Sequence, residues 1–363
     1  MNWHRRRSRM MKSTWGRSLL WVASICFGAG ARTRNFLYDL RLLPSRKVRA
    51  KVVGIGNLTT GGTGKTPATV LAAMTLRRRD QHVAILSRGY GRPVKSPDVC
   101  VLHDDSVLDW RQCGDEPWMM HQLLKGQNIP ILISPDRSRA ALQAVTFFDS
   151  HVIILDDGFQ HRRLKRDLDI VLINATNPFG GGKFLPLGNL REPLRSLKRA
   201  GMILLTHIDL VAEGALESLR QELHAVNPRA ALLESVHKPD FLLEVKTERK
   251  QRLSHLEGRE VAALSGLADP VQFEDCLAHV GMAVAQKWRY PDHHRFTRRE
   301  LASVDHLLHG MPLVTTFKDV VRFPTGWREL LRGEVYALAI KLDIVKGKNA
   351  WTDALLGLTE TPG

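Results

Sequence analysis

An α/β fold carried by a doubly wound parallel sheet, with a second, smaller α/β domain after it, is what this sequence predicts. Three observations lead there. Short apolar runs alternate with longer helix-forming segments through about residue 225, the pattern of parallel strands joined by crossover helices. One run, Val52 to Ile55, breaks into a glycine-rich loop that ends in Gly64-Lys65-Thr66 where an apolar helix begins. Another, Val152 to Leu155, runs straight into Asp156-Asp157.

The stretch Lys51 to Pro67, KVVGIGNLTTGGTGKTP, has the layout of a phosphate-cradling P-loop. Glycines at 61, 62 and 64, with Thr63 among them, let backbone N–H groups turn inward. Lys65 reaches the outer phosphates of a nucleotide such as ATP, and the Thr66 hydroxyl is a ligand for Mg²⁺. Thr59 stands where the strict pattern has its first glycine. Pro67 suits a first helical turn, which does not need its N–H, and Ala68 to Leu76 is the helix. Asp156 and Asp157 belong with this loop. In a P-loop NTPase-type sheet, acids at a strand's carboxyl end lie beside metal and phosphate and hold Mg²⁺ directly or through water. Two adjacent carboxylates there are costly unless a cation is near.

The other elements follow in order. His82 to Arg92 reads as a strand opening into a glycine turn, Asp98 to Trp110 as polar and irregular, and Trp118 to Leu124 as a helix. Asp115, in Gly114-Asp115-Glu116-Pro117, suits the start of that helix. Ile129 to Ser134, Leu168 to Asn174 and Met202 to Thr206 are strands; Arg137 to Phe148 and Ala215 to Val226 are helices. Asn177 to Leu194 is rich in glycine and proline and suits a mobile loop over a site. Thr206-His207-Ile208-Asp209 is a distant match to a guanine-reading N/T-K-x-D, with histidine in place of lysine.

Phe241 to Arg252 crosses into the second unit. Its strands are Val261 to Leu264, Ala283 to Trp288, Leu313 to Thr316 and Val335 to Ile340, with helices at Val271 to Val280 and Thr297 to Leu308. In Tyr290 to Thr297, YPDHHRFT, adjacent strand histidines face opposite ways and do not easily share one ion. One histidine held by an acid and used for proton handling is the sharper reading. The division expected is an N-terminal helix over 1–35, a P-loop domain over 36–228 and a smaller α/β domain over 229–363, with linker candidates at Val226 to Ala230 and Val245 to Arg252.

The net charge of +16 is concentrated: residues 1–51 hold thirteen Lys/Arg against Asp39 alone. That is an N-terminal feature, not a nucleic-acid groove spread over the fold. Among those cations lies the uncharged Ser18 to Ala31, SLLWVASICFGAGA. As a helix it reaches about 21 Å, short of a hydrocarbon core of about 30 Å. It is open to three readings: a monotopic anchor gripping anionic headgroups, a cleaved signal segment ending at Ala29-Gly30-Ala31, and a buried core helix. The anchor adds an N-terminal membrane-associated helix to the fold class. The four cysteines are scattered without a CxxC pair, which favours a reducing compartment.

Several separated motifs together resemble the tetraacyldisaccharide 4′-kinase family. They are GNLTTGGTGKTP (56–67), SRGYGR (87–92), GDEP (114–117), LDDGFQHRRLKRDLDIVL (155–172), PFGGGKFLPLGNLREPL (178–194), SGLADPVQF (265–273), YPDHHRFT (290–297) and TTFKD (315–319). The resemblance implies transfer of the ATP γ-phosphate to the 4′-hydroxyl of tetraacyldisaccharide 1-phosphate, forming lipid IV-A in lipid A synthesis. It implies a peripheral or monotopic protein on the anionic cytoplasmic face of the Gram-negative inner membrane. It also assigns roles: Lys65 on the β/γ-phosphates, Thr66, Asp156 and Asp157 around Mg²⁺ with Glu192 joining on loop closure, and Asp115 with His293 as an acid–histidine pair on the sugar hydroxyl. Gln160, His161 and Arg162 touch substrate or phosphate in this reading. TTFKD carries Phe317 where the family pattern leads one to expect glutamate. The alternative is a P-loop GTPase or metallochaperone. Nothing in the sequence fixes an oligomeric state.

Overall fold

The computed structural model describes residues 7, 10–11, 13–89, 98–106, 110–267, 269–292 and 294–359. Among them, thirteen strands form one mixed, mainly parallel sheet. The first half supplies β1 (Lys51–Asn57), β2 (Val83–Ser87), β3 (Cys100–Leu102), β4 (Ile131–Ile133), β5 (Val152–Asp156), β6 (Leu168–Asn174) and β7 (Met202–Thr206). The second supplies β8 (Ala231–Glu244), β9 (Arg249–Gln251), β10 (Glu260–Ser265), β11 (Ala283–Arg289), β12 (Leu313–Thr316) and β13 (Val335–Lys346).

β1 is central because it is apolar on both faces. Val53 and Ile55 pack under α2 (Lys65–Arg77) and α3 (Asp115–Leu124), while Val52 packs with α4 (Arg137–Phe148) on the other side. Such two-sided burial is what a parallel strand covered by crossover helices requires. Strands β4, β2, β5, β1, β6, β7 and β8 run parallel in that spatial order, with β3 antiparallel on the outer edge.

β8 joins the halves. Its pairing with β7 ends at Leu205↔Glu234, yet it continues through residues 235–244 and pairs there antiparallel with β13. β12, β10 and β11 then follow β13 in parallel. The second block therefore runs opposite to the first. The carboxyl end of β12, at Thr316↔Leu338, faces back toward the carboxyl end of β7. Two sets of carboxyl strand ends confront each other, and the space outside such ends is where α/β sheets bind ligands.

Several expectations are corrected. The segment taken as irregular contains β3, which is too short to display a period. The crossing expected from Phe241 is instead the 14-residue β8, which begins at Ala231, and β9 lies within a proposed linker. Helices α5 (Glu213–Val226), α6 (Pro270–His279) and α7 (Arg298–Leu308) are followed by a final helix, α8 (Lys348–Leu356), which is absent from the sequence-based expectation. It returns to the first half: Trp351 and Leu355 join the core under α2, and Trp351 Nε1 donates to Thr75 Oγ1 at 3.2 Å.

α1 (Thr14–Asp39) has 26 residues and spans about 39 Å, outrunning the apolar stretch at both ends. Its buried stripe is Leu20, Ser24, Gly28 and Asn35, at helical spacing. Trp15, Leu19, Trp21, Val22 and Ile25 face outward, so the buried-core reading of residues 18–31 does not hold. Among the described residues no helix is long and apolar enough to cross a membrane.

Candidate active site

The loop between β1 and α2 is held from several sides. Asn57 Nδ2 donates to Thr63 Oγ1 at 2.8 Å, and Thr206 Oγ1 donates to the Thr63 carbonyl at 3.3 Å. Thr59 is buried and bridges to Leu190, and Thr60 N donates to Asn189 O at 2.8 Å. Gly64 caps α2 at φ 81°, a conformation that disfavours any side chain. A Cβ there would stand 2.7 Å from His237 Nε2. Nothing lies within 4 Å of where a Cβ would stand on Gly61 or Gly62, so the mouth of the loop is open. The α2 N-terminus adds its free N–H groups and positive dipole end to this mouth.

Lys65 Nζ lies 3.8 Å from Asp157 Oδ1. Arg191 Nη1 donates to both Asp157 oxygens at 2.8 Å. Burial pushes the Asp157 carboxyl up, but Lys65 and Arg191 outweigh it and hold the group below the usual carboxylate range. Its neighbour differs. Asp156 is fully enclosed, accepts from Ser87 Oγ at 3.1 Å and Thr69 Oγ1 at 3.4 Å, and has its carboxyl pushed up to about 7. Burial is the main cause, followed by the charges of Glu116 and Asp157. A hard divalent cation would relieve this excess of negative charge, and the nearby donors are oxygens suited to Mg²⁺.

Asp115 and Glu116 form the first turn of α3. α3 straddles the halves: Met120 and Leu124 lie in the core below α2, while Met119 packs with Phe317 and Phe296 of the second half. Asp115 thus opens a helix that packs on both halves. His293 lies outside the described residues, as do residues 90–92 of the SRGYGR turn. The flanking His294 is tied to Glu300 at 3.1 Å and stacks on Tyr290 at 4.7 Å, anchoring the segment after β11 to the start of α7.

Gln160 Nε2 donates to the Asn57 carbonyl at 2.8 Å, beneath the loop. His161 is pushed down to about 4 by burial and by Arg137, Arg166 and Arg163, and its buried Nε2 has no partner. Arg162 turns to α1, donating to Asn35 O at 3.0 Å and pairing with Asp39 at 2.8 Å. Glu192 also meets α1: it is fully buried and accepts from Arg34 at 2.9 Å, Asn35 at 2.8 Å and Arg199 at 2.8 Å. The expected metal ligand thus has both oxygens engaged by protein.

Sequence reasoning did not single out Arg191, Glu116, Ser87 or Arg137. The signals were there: a cation beside Glu192, an acid beside Asp115, a hydroxyl ending a strand. Arg137 is buried near Asp156 and Asp157, and burial lowers its affinity for the proton.

A strand–glycine loop–helix unit beside two strand-tip acids, in a mainly parallel α/β sheet, defines a phosphotransferase of the P-loop kind. The family model for tetraacyldisaccharide-1-P 4'-kinase matches residues 16–359. The chain is 43% identical over 349 residues to the tetraacyldisaccharide 4'-kinase of Elusimicrobium minutum, covering 96% of this chain and 93% of that one. It is 40% identical over 356 residues to that of Anaeromyxobacter sp. (strain K), covering 97% and 93%. The chain belongs to the tetraacyldisaccharide-1-P 4'-kinase family. Its fold matches the crystal structure of "apo" form LpxK from Aquifex aeolicus in complex with ATP, with a TM-score of 0.74, 31% identity, and coverage of 94% and 98%. The GTPase or metallochaperone alternative is not favoured by these matches.

Proposed function

We propose that this kinase transfers the γ-phosphate of ATP to the 4′-hydroxyl of tetraacyldisaccharide 1-phosphate, yielding lipid IV-A, at the cytoplasmic face of the Gram-negative inner membrane. The observation that carries the reading is Lys65 beside Asp157, between an open glycine loop and the enclosed Asp156. The triphosphate lies along the amides from Gly61 to Lys65, and Lys65 leaves Asp157 to bind the β/γ-phosphates. Thr66, Asp156 and Asp157 would hold Mg²⁺, which when bound neutralises charge between those phosphates.

Asp115 and His293 are our choice for the pair that orients the sugar hydroxyl and accepts its proton. Such transfer depends chiefly on positioning and charge neutralisation, so a base supplied from across the cleft couples closure to chemistry. Of Gln160, His161 and Arg162, the residues expected to touch substrate or phosphate, Gln160 is held by Asn57 and Arg162 by α1, which leaves the uncharged His161 to accept or donate one hydrogen bond there. Glu192 enters the metal shell only if Arg34 and Arg199 release it. The division into a P-loop domain (36–228) and a smaller domain (229–363) serves as the two jaws.

The outward row of Trp15, Leu19, Trp21, Val22 and Ile25, flanked by the N-terminal cations, suits a peripheral or monotopic seat on anionic lipid. A four-chain acceptor leaves a bilayer reluctantly, which favours an enzyme that sits there. The test is transfer of labelled γ-phosphate from ATP to the lipid disaccharide in vesicles. Labelled lipid is expected; ATP hydrolysis with no labelled lipid would refute the assignment. His293→Ala is expected to lower kcat far more than it raises the KM for ATP, and the reverse pattern reassigns it.

A further inference from the structure

Two histidines stand side by side at the end of the first block remote from the P-loop. His82 immediately precedes β2 and His151 immediately precedes β5. These strands are parallel neighbours with Val83 opposite Val152, so the histidines are opposite each other and project to one side. Their backbones are locked, because His151 N and Val152 N both donate to His82 O, at 2.8 and 3.1 Å. The rings stack at 4.9 Å and 8°, the spacing of adjacent strands. Asp149, ending α4 at φ 45°, brings its Oδ2 to 3.3 Å from His82 Nδ1 and 3.7 Å from His151 Nε2. The three donor atoms all lie within 4.8 Å of one another, and all three residues are exposed.

We propose that His82, Asp149 and His151 form a binding site for a borderline transition-metal cation of the Zn²⁺ class. Ligands about 2.0–2.1 Å from a tetrahedral zinc stand roughly 3.3–3.4 Å apart, close to the two separations already present. Two imidazoles and one carboxylate select Zn²⁺, Ni²⁺ or Cu²⁺ over Mg²⁺, which prefers an all-oxygen shell. In the metal-free site His82 Nδ1 donates to the Asp149 carbonyl at 3.1 Å; binding the cation releases that proton, and a water supplies the fourth position. The site is separate from the nucleotide: it lies at the amino ends of β2 and β5, whereas Ser87 and Asp156 close their carboxyl ends. Its cation clamps two neighbouring strands to the end of α4, and so stabilises the native state by mass action.

The test is calorimetric titration of the full chain with Zn²⁺ in excess Mg²⁺. One Zn²⁺ per chain is expected, with affinity falling about tenfold or more in His82→Ala and in His151→Ala. Both variants are expected to keep the wild-type phosphotransfer rate in buffer that contains Mg²⁺ but no Zn²⁺. Cu²⁺ electron spin resonance of the wild type should show coupling to two imidazole nitrogens, and to one in either variant. Unchanged Zn²⁺ affinity in the double variant overturns the site, as does an equal loss in a His103→Ala control. Asp149→Asn, which preserves shape, weakens binding if the carboxylate is a ligand and leaves it intact if the proposal is wrong.

Discussion

At the scale of single residues, two adjacent aspartates behave oppositely because their neighbours differ. Asp157 has Lys65 and Arg191; Asp156 has two hydroxyls and the repulsion of Glu116. Lys65→Ala removes a charge that the transition state requires, and is expected to lower kcat/KM by about 10²-fold or more. Near-normal turnover would detach the loop from catalysis. Asp156 makes stability depend on pH. Unfolded, its carboxyl titrates near the ordinary 3.8; folded, it keeps its proton to about 7. Over that window the native state binds more protons, so without divalent metal its stability falls as pH rises and levels off above roughly pH 7. Asp156→Asn should abolish that fall, raising the metal-free Tm at pH 8 by a few degrees while losing activity. A Tm–pH profile identical to wild type would show that the carboxyl is already ionised.

Among elements, α1 and the glycine-rich segment 177–194 act as one assembly. Ser24 Oγ donates to Phe184 O at 2.8 Å, and Arg7 reaches Asn189 at 3.0 Å. Gly28 permits the approach, since a Cβ there would stand 2.7 Å from the Phe184 ring. The segment taken from its composition as a mobile loop is thus pinned both to α1 and to the P-loop. Glu192→Gln leaves Arg34 and Arg199 without their anion, at a cost of about 3 kcal/mol. Thermal melting measures that loss, and the Mg²⁺ dependence of kcat separates the two roles. An unchanged Mg²⁺ requirement keeps Glu192 as a structural post; a raised one puts it in the metal shell. Removing residues 1–31 should shift the protein from membrane to soluble fractions and depress use of vesicle-borne lipid. Unaltered partition would dismiss the anchor.

For the molecule as a whole, the decisive feature is two parallel blocks of opposite direction joined along β8 and β13. Their carboxyl ends face each other; beside the gap the rings of His207 and His237 stack at 4.2 Å, and burial above all, with the charge of Lys318 adding, lowers the proton affinity of both. The halves are also laced together by α8, which crosses back to cover α2. Trp351, 2% exposed, fills that joint. Trp351→Ala should cost about 3 kcal/mol and weaken ATP binding, because α2 presents Lys65 and Thr66. Denaturant unfolding together with an ATP KM would register both, and a stability loss with normal KM would uncouple the joint from the site.

The chemistry-bearing stretches were legible in the sequence because they are local. A strand, a glycine loop and a helix start are set by a few consecutive backbone conformations, and Asp156-Asp157 follows its strand directly. Alternating apolar runs likewise determined the parallel sheet, since burial on two faces demands such runs. Everything that depends on which strand neighbours which was decided by the tertiary structure. Arg191 as the partner of Asp157, Glu192 fastened to α1, the reversal at β8–β13, the return of α8 and the pairing of His82 with His151 all join residues far apart in the chain. No periodicity within one segment encodes such contacts; they arise only when packing brings separate segments to the same place.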